Sequence, residues 1–285
     1  MQKVETVSAL RSAVSTARSA GKRIGFVPTM GNLHAGHLQL LKTAQRQSDF
    51  TVVSIYVNPT QFGANEDLDT YPSTPEEDAR ALAELGADLL FSPDHEQMYP
   101  GGIVDQTVVS VPKMGEYYCG ADRPGHFDGV TTVVSRLFNM VQPDVAVFGK
   151  KDYQQLAILR KMVEDLAFPV EIVGVDTVRS ESGLALSSRN GYLNTEQLQT
   201  AATLQATLQW AGQALQKSNC STEQMRTLEH QASQRLVEAG FEPHYLTVCR
   251  RSDLQPAAET DNELVILAAA VLGQTRLIDN LEVTL

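Results

Sequence analysis

The sequence predicts an α/β protein built on a doubly wound parallel sheet, followed by a smaller α+β domain. Strand-like and helix-like segments alternate as far as residue 175, and several strand segments are near-continuous Val/Ile runs such as 51–57. Such runs suit strands that are buried on both faces. After residue 180, two long helical stretches precede three strand candidates, which is typical of a small antiparallel sheet. We therefore expect domains at 1–178 and 179–285.

Helices are predicted from apolar residues at helical spacing, and strands from short runs rich in β-branched residues. In the first domain, helices are expected at 7–20, 36–47, 75–85, 130–141 and 153–166. Strands are expected there at 24–27, 51–57, 88–91, 107–111, 145–148 and 170–175. In the second domain, helices at 195–216 and 221–239 are followed by strands at 244–248, 264–271 and 275–283.

Composition excludes several classes of protein. The net charge of −11 argues against a broad nucleic-acid surface. No apolar run approaches the roughly 20 residues that span a bilayer. The N-terminal residues show no basic region followed by an apolar stretch, so we expect a cytoplasmic protein. The three cysteines are widely separated, and no C-x-x-C or H-E-x-x-H pattern occurs. A disulfide framework and a cysteine-built zinc site are therefore not expected.

Residues 28–37, P-T-M-G-N-L-H-A-G-H, form the most informative stretch. They follow a predicted strand and lead into a predicted helix, whose start offers free backbone N–H groups and a positive dipole end to an anion. His34 and His37 are three residues apart, so one helical turn places both imidazoles on the same side. Gly36 lets a ligand approach the backbone closely. The pattern favours a nucleotide site over a pair of solvated histidines.

Other polar clusters follow other predicted strands. Residues 58–63 come after the second strand of the first domain, and 149–152 come after the strand at 145–148. In open α/β sheets, ligands bind beyond the carboxyl ends of the strands. Three loops directed at one crevice indicate function more strongly than any one of them.

Four segments occur in the order 28–37, V-N-P-T-Q-F-G at 57–63, F-G-K-K-D-Y-Q-Q at 148–155 and L-S-S-R-N at 186–190. Together they closely resemble the pantothenate synthetase family, the ATP-dependent pantoate–β-alanine ligases, and T-R-L-I-D-N at 275–280 extends the likeness. The resemblance implies a Rossmann-like ATP domain of the H-x-G-H nucleotidyltransferase type, a C-terminal α+β lid domain, a homodimer and dependence on Mg²⁺. It also implies two steps, through pantoyl adenylate to pantothenate, AMP and pyrophosphate.

The resemblance implies catalytic roles for His37 as proton donor, and for His34, Lys151 and Arg189. It also implies an ATP site, with Val178 making a backbone contact to adenine. The ATP-site residues are Met30, Gly31, Asn32, Leu33, His34, Ala35, Gly36, His37, Gly149, Lys150, Lys151, Asp152, Val178, Leu186, Ser187, Ser188 and Arg189. Position 150 is often glutamate in this family, so a role for the Lys150 side chain is open.

The resemblance implies that Gln61 and Gln155 bind pantoate, since both lie in the matched segments, and that Gln61 also contacts β-alanine. Their neutral amides can bond hydroxyl and carboxylate oxygens without adding charge. The protein ligands of Mg²⁺ stay open. Glu77 and Asp78 align with acidic family positions near the metal, but acidic residues in a first helical turn are ordinarily complements of the helix dipole. His126 precedes a helix near the crevice and is a candidate pocket wall.

Two alternatives stay open. Another enzyme with the H-x-G-H motif, such as a cytidylyltransferase or adenylyltransferase, would share the fold but leave the nucleotide on its product. A nucleotide-sensing protein without turnover would share the pocket. The second and fourth segments argue against the first, and the presence of His34, His37, Lys151 and Arg189 argues against the second. An aminoacyl-tRNA synthetase is disfavoured by the acidic charge and the small size.

Overall fold

The computed structural model describes residues 1–63, 66–217 and 221–285. The chain forms two compact units. The first unit comprises Met1–Lys150 and Ile158–Asp176, and the second comprises Lys151–Ala157 and Thr177–Leu285. Residues 151–157 thus belong with the C-terminal part of the chain, which periodicity along the sequence does not reveal.

In the described part of the first unit, parallel strands form a six-stranded sheet in the order β1-β4-β3-β2-β5-β6. The strands are β1 Gln2–Val4, β2 Ile24–Thr29, β3 Phe50–Ile55, β4 Leu89–Phe91, β5 Val145–Gly149 and β6 Glu171–Val175. The chain runs outward from β2 through β3 to β4, and then returns to β5 on the other side of β2. The switch in direction therefore lies between β2 and β5, where ligands bind in open sheets of this kind.

Helices alternate with these strands along the chain. They are α1 Val7–Ser19, α2 Ala35–Gln47, α3 Pro75–Glu84, α4 His95–Met98, α5 Cys119–Asp122, α6 His126–Val141 and α7 Tyr153–Asp165. The helices cover both faces of the sheet. Val27 belongs to a buried cluster with Leu41 of α2 and Leu82 of α3. Its neighbour Phe26 points to the opposite face, where its ring packs edge-on against Phe138 of α6, with 6.4 Å between ring centroids. The predicted doubly wound parallel sheet is confirmed.

The second unit contains the antiparallel sheet. Its strands, in the order β7-β8-β9, are β7 Glu242–Arg250, β8 Glu263–Leu272 and β9 Thr275–Thr284. Two longer helices, α8 Thr195–Lys217 and α9 Thr222–Glu238, pack on it. Alternate residues of β8 from Leu264 to Leu272 share one apolar core with α8 and α9, as the period of two in a strand requires. The predicted α+β arrangement is confirmed.

One predicted strand is wrong. Residues 107–111 form no strand, and the Val108 side chain is 56% exposed. This segment lies against α6 instead: the N–H of Val109 donates to Thr132 Oγ1 at 2.9 Å, and Thr131 Oγ1 donates to the Val109 carbonyl. β-branched residues favour extended backbone, but a strand also needs a neighbouring strand to pair with.

No described helix is long and apolar enough to cross a membrane. Cys119 and Cys249 are buried free thiols, and Cys220 lies outside the described residues.

Candidate active site

The loop between β2 and α2 is held in a tight turn. Gly31 has a φ of 86° and Asn32 a φ of 50°, so two successive residues are left-handed. The buried carboxylate of Asp78, in the first turn of α3, accepts hydrogen bonds from the N–H groups of Asn32 and Leu33, both at 2.8 Å. The hydroxyl of Thr74 donates to the same carboxylate at 3.1 Å. The loop is therefore hydrogen-bonded to a helix that begins more than 40 residues later.

The two histidines cap the start of α2 reciprocally. His34 is the N-cap residue, and its Nδ1 accepts from the N–H of Gly36 at 3.1 Å. The Nδ1 of His37 accepts from the N–H of His34 at 3.3 Å, and the ring centroids are 4.1 Å apart. Because Nδ1 is an acceptor in both rings, the proton of each neutral imidazole lies on Nε2. Each ring thus has an Nε2–H group suited to donate to an anion.

Gly36 has a structural reason for its small size. A Cβ at this position would lie 2.7 Å from Cε1 and 2.9 Å from Nδ1 of the His34 ring. A side chain here would displace the imidazole from its capping position. The space beside the Gly36 Cα, which the motif predicts to be open to a ligand, is partly filled by the His34 ring.

Gln61 lies in a one-turn 3₁₀ helix, Pro59–Gln61, that follows β3. Its side chain is held by Asn58, whose Nδ2 donates to Gln61 Oε1 at 3.1 Å and to the Gly129 carbonyl at 3.2 Å. The Asn58 side chain accepts from the Tyr99 hydroxyl at 2.8 Å. Burial raises the pKa of Tyr99, which keeps that hydroxyl protonated and able to donate. Gln61 Nε2 also lies 3.2 Å from Met30 Sδ, so the loops after β2 and β3 meet.

The backbone of Gln61 is held by a second set of side chains. His126 Nδ1 lies 2.7 Å from the Gln61 carbonyl, and Arg123 Nη2 donates to the same oxygen at 3.3 Å. Arg123 Nη1 lies 3.0 Å from His126 Nε2. Because a guanidinium only donates, His126 Nε2 accepts, and the imidazole proton lies on Nδ1 and is donated to Gln61.

Arg123 is itself paired with Glu66 through two hydrogen bonds of 2.6 and 2.5 Å. Although burial opposes the change, these bonds lower the pKa of Glu66. His126 supports the turn that carries Gln61, and its role as a pocket wall stays a prediction. Asn58 belongs to the predicted polar cluster at 58–63, but its bond to Gln61 and the roles of Glu66 and Arg123 were not predicted, because no local pattern joins these residues.

Gly149 and Lys150 lie at the end of β5, the neighbour of β2. Lys150 Nζ forms an ion pair at 2.8 Å with Asp176, which follows β6. The Lys150 side chain therefore has a structural partner within the first unit.

The remaining predicted residues lie in the second unit. The Lys151 carbonyl accepts from Asn280 Nδ2 at 3.0 Å, and Lys151 Nζ is 4.0 Å from Asp152. The hydroxyl of Tyr153 donates to Glu282 at 2.9 Å. Strand β9 thus anchors the start of the 151–157 segment, in which Gln155 is half-buried.

Residues 178–189 form a hairpin-like turn in the same unit. The Val178 carbonyl accepts from the N–H of Leu186 at 2.9 Å, and Ser187 Oγ accepts from the N–H of Arg189 at 3.2 Å. Next to Val178, Arg179 pairs through two nitrogens with the buried carboxylate of Asp279, at 2.6 and 2.9 Å. The backbone of Val178 and the Ser187–Arg189 turn are therefore tied to β9 and to each other.

In the first unit, the structure brings together the loops after β2 and β3, with Gly149 and Lys150 at the end of β5. In the second unit, it places Lys151–Gln155 and Val178–Arg189 on two segments that are each hydrogen-bonded to β9. Among the described residues, no group of three or more His, Cys, Asp or Glu side chains forms a metal site.

A doubly wound sheet with a reciprocally capped H-x-G-H helix start at its switch point defines a nucleotide-binding α/β protein. The family model described as Pantoate-beta-alanine ligase matches residues 2–282. The chain belongs to the pantoate-beta-alanine ligase family.

Individual relatives agree with this assignment. The pantothenate synthetase of Pseudomonas putida (strain W619) is 56% identical over 285 residues, covering 100% of this chain and 98% of the relative. The crystal structure of pantothenate synthetase from Thermus thermophilus superposes with a TM-score of 0.92 at 44% identity, covering 100% of both chains. The pantoate-beta-alanine ligase of Francisella tularensis, complexed with beta-gamma ATP and beta-alanine, has a TM-score of 0.78 at 31% identity and covers 99% of this chain and 97% of its own.

Proposed function

We propose that this protein condenses (R)-pantoate with β-alanine, using ATP, to give pantothenate, AMP and pyrophosphate through a pantoyl-adenylate intermediate. The match to the ligase family over residues 2–282 carries this proposal. The geometry of the α2 start supports it, because the capped histidines suit an anionic ligand such as a polyphosphate.

In the proposed first step, a carboxylate oxygen of pantoate attacks the α-phosphorus of ATP and pyrophosphate leaves. The reaction brings an anion to a polyanion, so the protein must supply donors and cations that are fixed in advance. We assign this work to the Nε2–H groups of His34 and His37, to Lys151 and to Arg189. The reciprocal caps support the assignment, because they fix both rings and both tautomers before a ligand binds. His37 is proposed to donate its proton toward the phosphate oxygens.

The rest of the proposed ATP site consists of backbone and hydroxyl donors. Residues 30–36 and Gly149 would line one side. Lys150 would act through its backbone, since its side chain pairs with Asp176. Asp152 would bond the ribose hydroxyls, Val178 would contact adenine through its backbone, and residues 186–188 would contact the phosphates.

Gln61 and Gln155 are proposed to bind pantoate, and Gln61 also β-alanine. The Gln61 amide is oriented through its Oε1 by Asn58, and its backbone is fixed by His126 and Arg123. A glutamine whose side chain and backbone are both fixed by hydrogen bonds is suited to orient a small hydroxy acid. In the second step, the amine of β-alanine attacks the acyl carbonyl of the adenylate, the amide bond forms and AMP leaves.

We propose that the reaction depends on Mg²⁺ and that the ion arrives with ATP. The described residues do not fit a protein-built magnesium cage, because they include no group of three or more His, Cys, Asp or Glu side chains that could hold an ion, and because Asp78 already accepts three hydrogen bonds. Mg²⁺ commonly relies on substrate phosphates and water instead. Bound in this way, it would neutralise phosphate charge.

We also propose that the protein is a homodimer in the cytoplasm, where ATP is available. The family resemblance suggests the dimer, and the segment with Ile103, Val104 and Val108 supports it. These apolar side chains lie close together in the sequence and are exposed, Val104 by 91%, and exposed apolar patches often mark an interface. Analytical ultracentrifugation should show a dimer for the wild type and a shift to monomer for V104E. A monomeric wild type would contradict this part of the proposal.

Pyrophosphate release tests the reaction itself. With ATP and pantoate alone, we expect a burst of about one pyrophosphate per site, and with β-alanine a steady release matched by AMP and pantothenate. The control omits pantoate and should release no pyrophosphate. A product that retains the nucleotide would instead indicate an adenylyltransferase, and binding of ATP without any release would indicate a nucleotide sensor.

A further inference from the structure

The turn at Gly31 and Asn32 creates an anion-binding concavity in the backbone. Both residues are left-handed, with φ values of 86° and 50°. Turn conformations of this kind direct successive N–H groups into one hollow, which attracts an anion. A left-handed φ is uncommon for residues other than glycine, although Asn adopts it more readily than most.

The anion that occupies this concavity is a side chain of the protein itself, the carboxylate of Asp78. One carboxylate oxygen of Asp78 accepts from Asn32 N–H and the other from Leu33 N–H, both at 2.8 Å. The Asp78 side chain is buried, and Thr74 Oγ1 donates to it at 3.1 Å. A Cβ at residue 31 would lie 3.0 Å from Asp78 Oδ2, so the glycine leaves room for the carboxylate.

We propose that Asp78 is a positioning residue for the nucleotide loop, and that its carboxylate is the fixed anion that holds residues 31–33 in their turn. The residue that follows this turn is His34, the N-cap of α2, whose backbone N–H bonds His37. Asp78 therefore sets the position of both imidazoles before ATP binds. The inference rests on the proposed function for its kinetic effect, but its effect on the loop is independent of any substrate.

A metal-ligand role for Asp78 predicts different behaviour. A ligand would face the ion and would change the concentration of Mg²⁺ that the enzyme requires. A positioning residue would change the order of the loop in the ligand-free protein. Glu77 provides the matched control, because it is exposed in the same helical turn and carries the same charge.

The experiment compares the wild type, D78N and E77Q as full-length, ligand-free proteins by hydrogen–deuterium exchange. Asn has the volume of Asp but replaces one acceptor oxygen by an amide that cannot accept an N–H. We expect the peptide that covers residues 30–37 to exchange about 10-fold faster or more in D78N, as for the loss of a hydrogen bond to a charged group, and to be unchanged in E77Q. Wild-type exchange in D78N would overturn the proposal.

Kinetics provide the second readout. In D78N, we expect a higher KM for ATP and a lower kcat, with an unchanged dependence on free Mg²⁺ at saturating ATP. A shifted Mg²⁺ requirement would overturn the proposal in favour of a metal ligand. If D78N does not fold, T74V, which removes one hydrogen bond to Asp78, should accelerate the same exchange to a smaller extent, and unchanged exchange would overturn the idea. An inactive wild type that still shows the exchange difference would refute the ligase function alone.

Discussion

Replacing Asp279 by Asn is expected to destabilise the second unit and to leave the first unit largely unaffected. The Asp279 side chain is 2% exposed and accepts two hydrogen bonds from Arg179, whose side chain is 22% exposed. It also accepts from the N–H of Asn280 at 2.8 Å. In D279N, an amide N–H₂ group would face the guanidinium, so one hydrogen bond is lost and Arg179 loses its countercharge.

The structure sets the magnitude. Removing one partner of a buried ion pair costs about 3–5 kcal/mol, and partial exposure of Arg179 places the expected loss near the lower end, about 3 kcal/mol. With a urea m-value of about 2 kcal/mol/M, the unfolding midpoint should fall by about 1.5 M. By contrast, E171Q breaks the exposed Arg23–Glu171 pair, with side chains 47% and 60% exposed, and should cost less than about 1 kcal/mol.

The assay uses a natural probe. Trp210 is the single tryptophan of the chain and packs against the core of the second unit, with the Arg235 guanidinium 4.7 Å from its ring centroid. Its fluorescence during urea titration therefore reports on that unit. A D279N midpoint within about 0.3 M of the wild type, the shift typical of an exposed pair, would refute the reasoning.

Three further predictions concern activity and pH. H37A and K151A should each lower adenylate formation by roughly 10²-fold or more with the fold retained, as for lost transition-state contacts; pyrophosphate release measures this, and wild-type turnover in either variant would contradict its role. Q61A should raise the KM for pantoate more than that for ATP, and initial rates that show a defect for ATP alone would contradict the placement of Gln61. Although burial opposes it, hydrogen bonds from the N–H of Ile24 and from Arg18 lower the pKa of Asp144. This carboxylate therefore contributes stability that is present above its unfolded pKa near 3.8 and is lost as the pH falls through the lower folded value. Thermal melts between pH 6 and 3 should show a steeper loss for the wild type than for D144N, and parallel losses would exclude the effect.

Much of the fold could be predicted from the sequence, because period and composition act locally. The amphipathic spacing of α2 and the Val-rich run of β3 each specify their element within a few residues. Local sequence patterns do not specify which distant segments pair with each other. The three-residue strand β1 pairs with β4, more than 80 residues later, and was not predicted. Residues 107–111 have strand composition without a strand partner, and the prediction there was wrong.

The candidate site shows the same division. His34, Gly36 and His37 lie in one short stretch with a recognisable spacing, so they could be predicted from the sequence. Their supports come from other parts of the chain. In the sequence, Asp78 resembles an ordinary acidic residue of a first helical turn. Only the folded structure shows that its carboxylate accepts a hydrogen bond from Asn32, 46 residues earlier. Likewise, the hydrogen bond from the Asn280 side chain to the Lys151 carbonyl joins residues that are 129 positions apart in the sequence.

The discontinuous makeup of the second unit has a practical consequence for dissecting the protein. A fragment that begins at Thr177 would contain both long helices and the antiparallel sheet, but it would lack the seven residues Lys151–Ala157. Asn280 and Glu282 would then lose the groups that they bond at Lys151 and Tyr153. A fragment that contains the complete second unit would therefore need residues 151–157 joined to it through a linker or added as a separate peptide.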